Sequence, residues 1–270
     1  MNSLRQFAKS YASPEVWDVG RSSWFALKNL ASWPFVNLHP WRQESIRRLS
    51  KLHNVHSGER AFILGNGPSL NKIDIGRLQN EKTFGLNRVF LAFPEWGFST
   101  SYFVCVNALV IQQSAEEIQA LQMPKFLSWR SRKYLRLDAY TIFLNSTYQG
   151  PVFAKDARRR LWEGATVTYV ALQLAFFMGF DPVILVGVDH NFETKGIPNT
   201  TVASSGEDKD HFDSRYFADG FRWQLPDLGI SERAYTMAGN EFQAAGRKVL
   251  DATVGGKLEI FPKVDFNSLF

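Results

Sequence analysis

Thr166-Val-Thr-Tyr-Val-Ala-Leu-Gln-Leu-Ala-Phe-Phe-Met-Gly-Phe-Asp-Pro-Val-Ile-Leu-Val-Gly-Val-Asp189 decides the fold class. Its first part, to Phe180, is almost wholly apolar and predicts a helix buried on most sides. Gly179 can end that helix. Pro182 to Gly187 then predicts a strand with the continuous apolar look of a parallel sheet covered on both faces. A helix feeding such a strand is half of a βαβ unit.

Upstream, Arg60-Ala-Phe-Ile-Leu-Gly65 reads as a buried strand ending in glycine. Further strands are predicted over Lys82–Leu86, Ser101–Val106, Lys125–Trp129 and Tyr140–Leu144, with a helix over Ala108–Leu121. Downstream, Ser231–Gly246 predicts a helix, and Lys248–Leu250 and Leu258–Phe261 short strands. The reading is α/β: a Rossmann-like, doubly wound, mostly parallel sheet. Residues 196–229 are polar and weakly periodic, which fits a lid or binding loop. Residues 1–57, broken by Pro14, Pro34 and Pro40, are expected to form an N-terminal helical arm, and 58–270 the nucleotide-binding catalytic domain.

Composition bounds the rest. The chain has 270 residues, 45% hydrophobic and 21% charged, enough for a large core and against wholesale disorder. No apolar run is long enough to span a bilayer. The opening MNSLRQFAKSYASPEVWD has no continuous apolar stretch of the kind a secretory signal needs. The single cysteine, Cys105, excludes an internal disulfide and a cysteine-rich metal site, and no metal ligand set is assigned. A cytoplasmic setting is expected. The net charge of +5 sits in residues 1–60, which hold nine Lys/Arg and four acids, with Trp17, Trp24, Trp33 and Trp41 among them. Basic residues interleaved with tryptophan suit an anionic membrane surface, here the inner face of the cytoplasmic membrane. The plain alternative is an arm packed on the domain. Nucleic acid is not an expected partner, since the body of the chain is neutral and carries no standard motif. A homo-oligomer is left open.

The strongest local signal is Gly65-Asn66-Gly67-Pro68-Ser69, directly after the first core strand. Glycines there let backbone approach a ligand, and the next turn offers N–H groups to a phosphate. An ordinary tight turn is the alternative. Asn66, Asn87 and Asn107 all fall near strand ends, where amides can read sugar hydroxyls and base edges. Asp189 ends the strongest strand and could bind a metal, a ribose or an acceptor hydroxyl, or cap the turn. His190 beside it is a candidate acid–base group. In the polar loop, His211 is a candidate general base, with Arg215 and Tyr216 as anion-binding partners. Asp208-Lys-Asp210 has the D-x-D form of metal-dependent nucleotide-sugar enzymes. The cationic runs at 130–136 and 155–160 read as solvated faces, with the alternative that one of them lines an anionic ligand site.

Residues 61–70 with Ile73, Asp74 and Leu78, then Leu86-Asn87, Val106-Asn107 and 171–189, resemble glycosyltransferase family 42, the bacterial sialyltransferases. They also resemble the wider domain family of the 6-hydroxymethylpterin diphosphokinases and motility accessory factors. The resemblance covers roughly 58–270, and the ending 260–270 looks like members found near surface-polysaccharide genes. It implies a glycosyltransferase passing an acidic, sialic acid-like or ulosonic sugar from a CMP-activated donor to a glycan acceptor, with no essential metal or other cofactor. It implies that Asn66, Gly67, Asn87 and Asn107 contact the CMP moiety, that Thr166 approaches the donor, and that a lid histidine and tyrosines do the chemistry. His211 lies a few residues before the family's base position, around Arg215–Tyr216. Asn191 stands where the sialyltransferases carry a tyrosine. The diphosphokinase reading keeps the same fold and turn, with Mg²⁺ and ATP held by Asp189 and by Asp208 or Asp210. A nucleotide-binding scaffold without activity is the third reading.

Overall fold

The computed structural model describes residues 36–192, 196–217 and 219–270. The chain divides into two compact units, Met1–Gln43 and Glu44–Phe270. Most of the expected arm, including Trp17, Trp24 and Trp33, lies outside the described residues. From Glu44 onward the chain belongs to the larger unit. Leu49, on the helix Pro40–Leu52, is fully buried in its core, and the Asn54 and His56 N–H groups donate to the Phe177 and Met178 carbonyls.

The larger unit is built on an eight-stranded sheet. Its strands are β1 (Ala61–Leu64), β2 (Lys82–Leu86), β3 (Tyr102–Cys105), β4 (Lys125–Ser128), β5 (Thr141–Thr147), β6 (Arg160–Trp162), β7 (Val183–Val186) and β10 (Val249–Asp251). Their spatial order is β10-β7-β1-β2-β3-β4-β5-β6, and every pairing is parallel. A separate antiparallel hairpin, β8 (Thr201–Ala203) with β9 (Arg222–Gln224), lies in the polar segment. The expected α/β, mostly parallel sheet is therefore what forms.

The strands are short and buried on both faces because their residues are apolar without alternation, as in Ala-Phe-Ile-Leu of β1 and Val-Ile-Leu-Val of β7. Alternate residues feed two cores. Ala61 and Ile63 join Phe84, Leu86, Val104, Phe126 and the helices Val167–Met178 and Leu228–Ala244. Phe62 and Leu64 join Ile184, Val186, Leu70, Leu78 and Phe266 on the opposite face. Short 3₁₀ turns and the C-terminal segment, rather than long helices, cover that second face. Each fully buried large apolar side chain contributes roughly 1.5–3 kcal/mol.

The helix Val167–Met178 starts where the Thr166 hydroxyl accepts the Thr168 N–H, and ends at Gly179, whose φ of +92° only glycine adopts readily. Three local expectations change. Ala108–Leu121 is two helices, Ala108–Gln113 and Ala115–Ala120, broken at Ser114. Leu258–Phe261 is not a strand; Leu258 and Phe261 are core residues, and the chain touches the sheet through a single bridge, Asp251 to Lys263. The polar segment contains the β8–β9 hairpin.

Candidate functional site

The connection order fixes where a ligand can sit. From β1 the chain builds outward through β2 to β6, then returns to place β7 on the other flank of β1. The order reverses between β1 and β7. In open parallel sheets, the crevice at the carboxyl ends of the two strands flanking such a reversal is the ligand site.

The glycine turn leaves β1 at that crevice. Gly65 N–H donates to the Val186 carbonyl at 2.8 Å and Gly67 N–H to the Gly187 carbonyl at 2.9 Å, so the turn is zipped to the end of β7. A Cβ on Gly65 would overlap the Gly187 carbonyl, with the carbonyl carbon 2.6 Å away. A Cβ on Gly67 would stand 2.9 Å from Asp189 Cβ and closer still to its carboxylate. Pro68 opens a 3₁₀ turn, Pro68–Lys72. The Ser69 hydroxyl donates to Asp189 Oδ2 at 2.6 Å and the Ser69 N–H to Oδ1 at 3.2 Å. Asp189 is thus the clasp of the turn, with both carboxylate oxygens committed to Ser69. Burial raises its carboxyl above the ordinary value, against the pull of the Ser69 donors.

Two amides beside this turn carry unmet hydrogen-bonding capacity. Asn66 Oδ1 and Asn87 Oδ1 are buried and have no hydrogen-bond partner. Asn87 sits in the left-handed region, φ +49°, at the end of β2. Buried acceptors are normally satisfied, so a pair of orphans at a crevice points to a ligand with N–H or O–H donors. Asn107 and Thr166 have structural work. Asn107 Oδ1 caps its helix by accepting the Leu109 and Val110 N–H groups at 2.9 and 3.3 Å. Thr166 Oγ1 caps its own helix and lies 3.2 Å from the Tyr235 hydroxyl. Asn191 is exposed just beyond the strand end.

The polar segment folds back over this site. Phe212 N–H donates to the Asn66 carbonyl at 2.8 Å, and Asn71 Nδ2 to the Phe212 carbonyl at 2.8 Å. His211 is therefore brought beside the turn. Its Nδ1 lies 2.8 Å from Asp208 Oδ2, and its ring stacks on Tyr216 at 3.9 Å between centroids, 6° from parallel. Among the described residues Nε2 has no hydrogen-bond partner. Asp208 also accepts the Asp210 and Phe217 N–H groups, so it orients histidine and loop; the D-x-D tripeptide does not present its first carboxylate to a metal. Tyr216 is buried, and its hydroxyl meets the Arg88 N–H and the Asn87 amide rather than open crevice. Burial raises its pKa. The Arg215 guanidinium is mostly exposed and pairs with Asp213 at 2.6 Å. As placed, neither residue presents its functional group at the crevice to hold a phosphate.

His190 lies on the other flank of Asp189. Its Nε2 is 3.0 Å from Glu232 Oε1, and its ring meets Tyr235 edge-on. An open groove of about 720 Å³ starts at Glu232 and runs past Arg233, Met237 and Lys257. Further along the strand ends, Arg130 pairs with the buried Glu163 at 2.5 Å and lies over the Tyr148 ring, so the 130–136 run is not wholly a solvated face. Burial raises the Glu163 carboxyl.

Sequence reasoning missed Arg88, whose guanidinium is buried against the polar segment, and the orienting role of Asp208. The Asp208–His211 spacing of three was the available signal for the second. Among the described residues, no group of three or more His, Cys, Asp or Glu side chains is arranged to hold a metal ion. Nor is any helix long and apolar enough to cross a membrane.

Fold and site together define a Rossmann-like α/β protein with a glycine-turn crevice at its switch point. By sequence the chain belongs to the 6-hydroxymethylpterin diphosphokinase MptE-like family, whose model matches residues 35–195. That span holds the glycine turn, Asn87, Asn107, Thr166 and Asp189 and stops before His211. A comparison with curated proteins finds no match. Among solved structures, a MAF glycosyltransferase from Magnetospirillum magneticum AMB-1 is 17% identical with a TM-score of 0.51, over 96% of this chain and 43% of that one. A mammalian sialyltransferase in complex with Gal-beta-1-3GalNAc-ortho-nitrophenol is 11% identical with a TM-score of 0.38, over 85% and 86% of the two chains. The first likeness is one of fold, and this chain spans less than half of that protein's length.

Proposed function

We propose that the chain is a glycosyltransferase-like enzyme that moves an acidic, sialic acid-like or ulosonic sugar from a CMP-activated donor to a glycan acceptor in surface polysaccharide synthesis. One observation carries the reading. Two buried, unpartnered amide oxygens, on Asn66 and Asn87, flank a glycine turn that lies under an Asp208–His211 pair. The amides offer acceptors for the amino group of a base or the hydroxyls of a ribose. Gly65–Ser69 leaves room for backbone to approach phosphate.

The transfer needs a base for the acceptor hydroxyl. Asp208 on Nδ1 fixes the imidazole, leaving Nε2 to take the acceptor hydroxyl's proton as the acceptor oxygen bonds to the anomeric carbon and CMP departs with the electrons of the broken anomeric C–O bond. Asp189, spent on Ser69, is a positioning residue. In this reading no metal is required. The part of the basic N-terminal segment before Glu44 would bring the enzyme to an anionic membrane surface from the cytoplasmic side.

The family match favours a second reading, a Mg²⁺–ATP diphosphokinase. Its magnesium would need carboxylates at the phosphate turn. Asp189 has both oxygens on Ser69, and Asp208 is engaged by His211 and two N–H groups, so these residues do not fit that ion as they stand.

A thermal-shift screen of CMP, UDP, GDP and ATP, each with and without Mg²⁺, decides between them. A ligand at a hundred times its dissociation constant stabilises by roughly 2.7 kcal/mol. CMP binding without metal is the expected result. Stabilisation by ATP only with Mg²⁺ overturns the first reading for the second. Tight CMP binding, with no turnover and no loss of function in lid variants, leaves a nucleotide-binding scaffold.

A further inference from the structure

Arg88 follows Asn87 at the end of β2 and is 8% exposed. Among the described residues no carboxylate lies within ion-pair distance of it, and its Nε is buried without a hydrogen bond. Glu117 and Asp213 act on it only from beyond ion-pair distance, so a cation this buried needs a further source of solvation. Here the source is the lid. Arg88 Nη1 donates to the main-chain carbonyls of Arg215, at 3.2 Å, and of Tyr216. Its backbone N–H reaches the Tyr216 hydroxyl at 3.4 Å, and its guanidinium lies 4.6 Å from the Phe221 ring centroid. Arg88 thus fastens residues 215–221, and Tyr216 in turn carries His211 by stacking.

We propose that Arg88 is the latch of the lid: a positioning residue that holds Tyr216, and through it His211, over the strand ends that carry Asn66 and Asn87. A planar guanidinium suits the task, because Nη1 can donate to two adjacent carbonyls while the guanidinium face rests on an aromatic ring. A lysine ammonium can also donate to carbonyls, but it has no planar face to rest on the Phe221 ring. The latch also joins the two halves of the site, since Asn87 at the strand end and Arg88 in the latch are consecutive residues. A ligand that fixes Asn87 thereby fixes the lid. The catalytic purpose of the latch rests on the transferase reading, but the latch itself is measured without ligand.

The test is hydrogen exchange on the full chain, comparing peptides from 208–217 with peptides from β1 and β7. Arg88→Met keeps bulk and removes the donors. Lid exchange is expected to quicken by roughly 10- to 100-fold, the change that losing hydrogen bonds to a charged donor carries, with sheet peptides unmoved. Proton NMR supplies a second readout. The ring signals of His211, assigned by their loss in His211→Gln, should sit away from the ordinary histidine position in the wild type, because of the stacked phenol. They should return toward it in Arg88→Met. Arg88→Lys should fall between wild type and Arg88→Met in both measurements, and it decides the matter if the methionine variant does not fold. Unchanged lid exchange, an unmoved His211 signal, or equal acceleration in lid and sheet overturns the latch. Failure of every nucleotide to shift the wild-type melting temperature overturns the transferase reading and leaves the latch result standing.

Discussion

Gly67→Ala is the sharpest perturbation of the glycine turn. Gly67 has φ −72° and ψ 157°, extended backbone that alanine adopts freely, so no torsional strain enters. The whole effect is steric. The new methyl would overlap the Asp189 carboxylate, whose Cβ is itself only 2.9 Å away, and Asp189 must swing aside. That movement breaks the two hydrogen bonds from Ser69, at 2.6 and 3.2 Å, which hold the turn against β7. Overpacking costs about 1–3 kcal/mol, and a hydrogen bond to a charged acceptor is worth about 1.5–3 kcal/mol, partly recovered when the displaced carboxylate meets water. The sum expected is about 3 kcal/mol. For a chain of this size that is a fall of about 6–12 °C in Tm.

The assay is thermal melting with and without nucleotide, for Gly67→Ala, Asp189→Ala and the double variant. Asp189→Ala removes the atoms that the methyl strikes. The double variant should therefore be more stable than additivity allows, by at least about 1 kcal/mol, since neighbouring residues couple. The stabilisation by CMP should vanish in Gly67→Ala, because the turn no longer offers its backbone in place. Additivity of the two substitutions within about 0.5 kcal/mol, or a Gly67→Ala protein with wild-type Tm and an undiminished nucleotide shift, refutes the reasoning.

His211→Ala should lower turnover by roughly 10²–10⁴-fold with donor affinity nearly intact, and Asp208→Asn should act in the same direction by a smaller factor; retained activity in His211→Ala, with loss in His190→Ala, would move the base to the other flank of Asp189. Asp138→Asn should destabilise by about 1.5–3 kcal/mol in urea titration, because Lys125, fully buried, loses its ionised partner at 2.8 Å while keeping the Gln119 carbonyl. Burial alone would raise the Asp138 carboxyl, but Lys125 and the Thr141 hydroxyl hold it down to about 2 from an ordinary 3.8. The ionised form therefore favours the fold, and this contribution is complete above about pH 4 and lost as pH falls toward 2; a wild-type acid-unfolding profile unchanged in Asp138→Asn contradicts it. If the basic N-terminal segment before Glu44 meets membrane electrostatically, liposome binding should require anionic lipid and fade with rising salt, as the Debye length is only about 8 Å at physiological ionic strength; equal partitioning to neutral liposomes counts against it.

What was legible in the sequence follows from what makes each element stable. β1 and β7 announce themselves because a strand flanked on both sides and covered on both faces has no polar position to hide its pattern, and because each ends in a glycine that the zipped turns require. β6 and the β8–β9 hairpin do not, since three residues are too few to establish a period, and β9 shows a lone buried Trp223 between exposed neighbours. Leu258 and Phe261 misled for a related reason: both are core residues, yet burial of two side chains does not oblige their backbone to pair. The three asparagines were legible as strand-end residues, but not that Asn107 spends its oxygen on two helix N–H groups while Asn66 and Asn87 keep theirs buried and unmet. The lid was the least legible part. Its fastenings run through the main-chain carbonyls of Asn66, Phe212, Arg215 and Tyr216, and every residue has a carbonyl. A pattern of side chains therefore carries no trace of them. Arg88 could be read as a cation beside a strand end. Only the course of the folded lid could reveal that its partners are backbone oxygens some 130 residues away, with no carboxylate beside it.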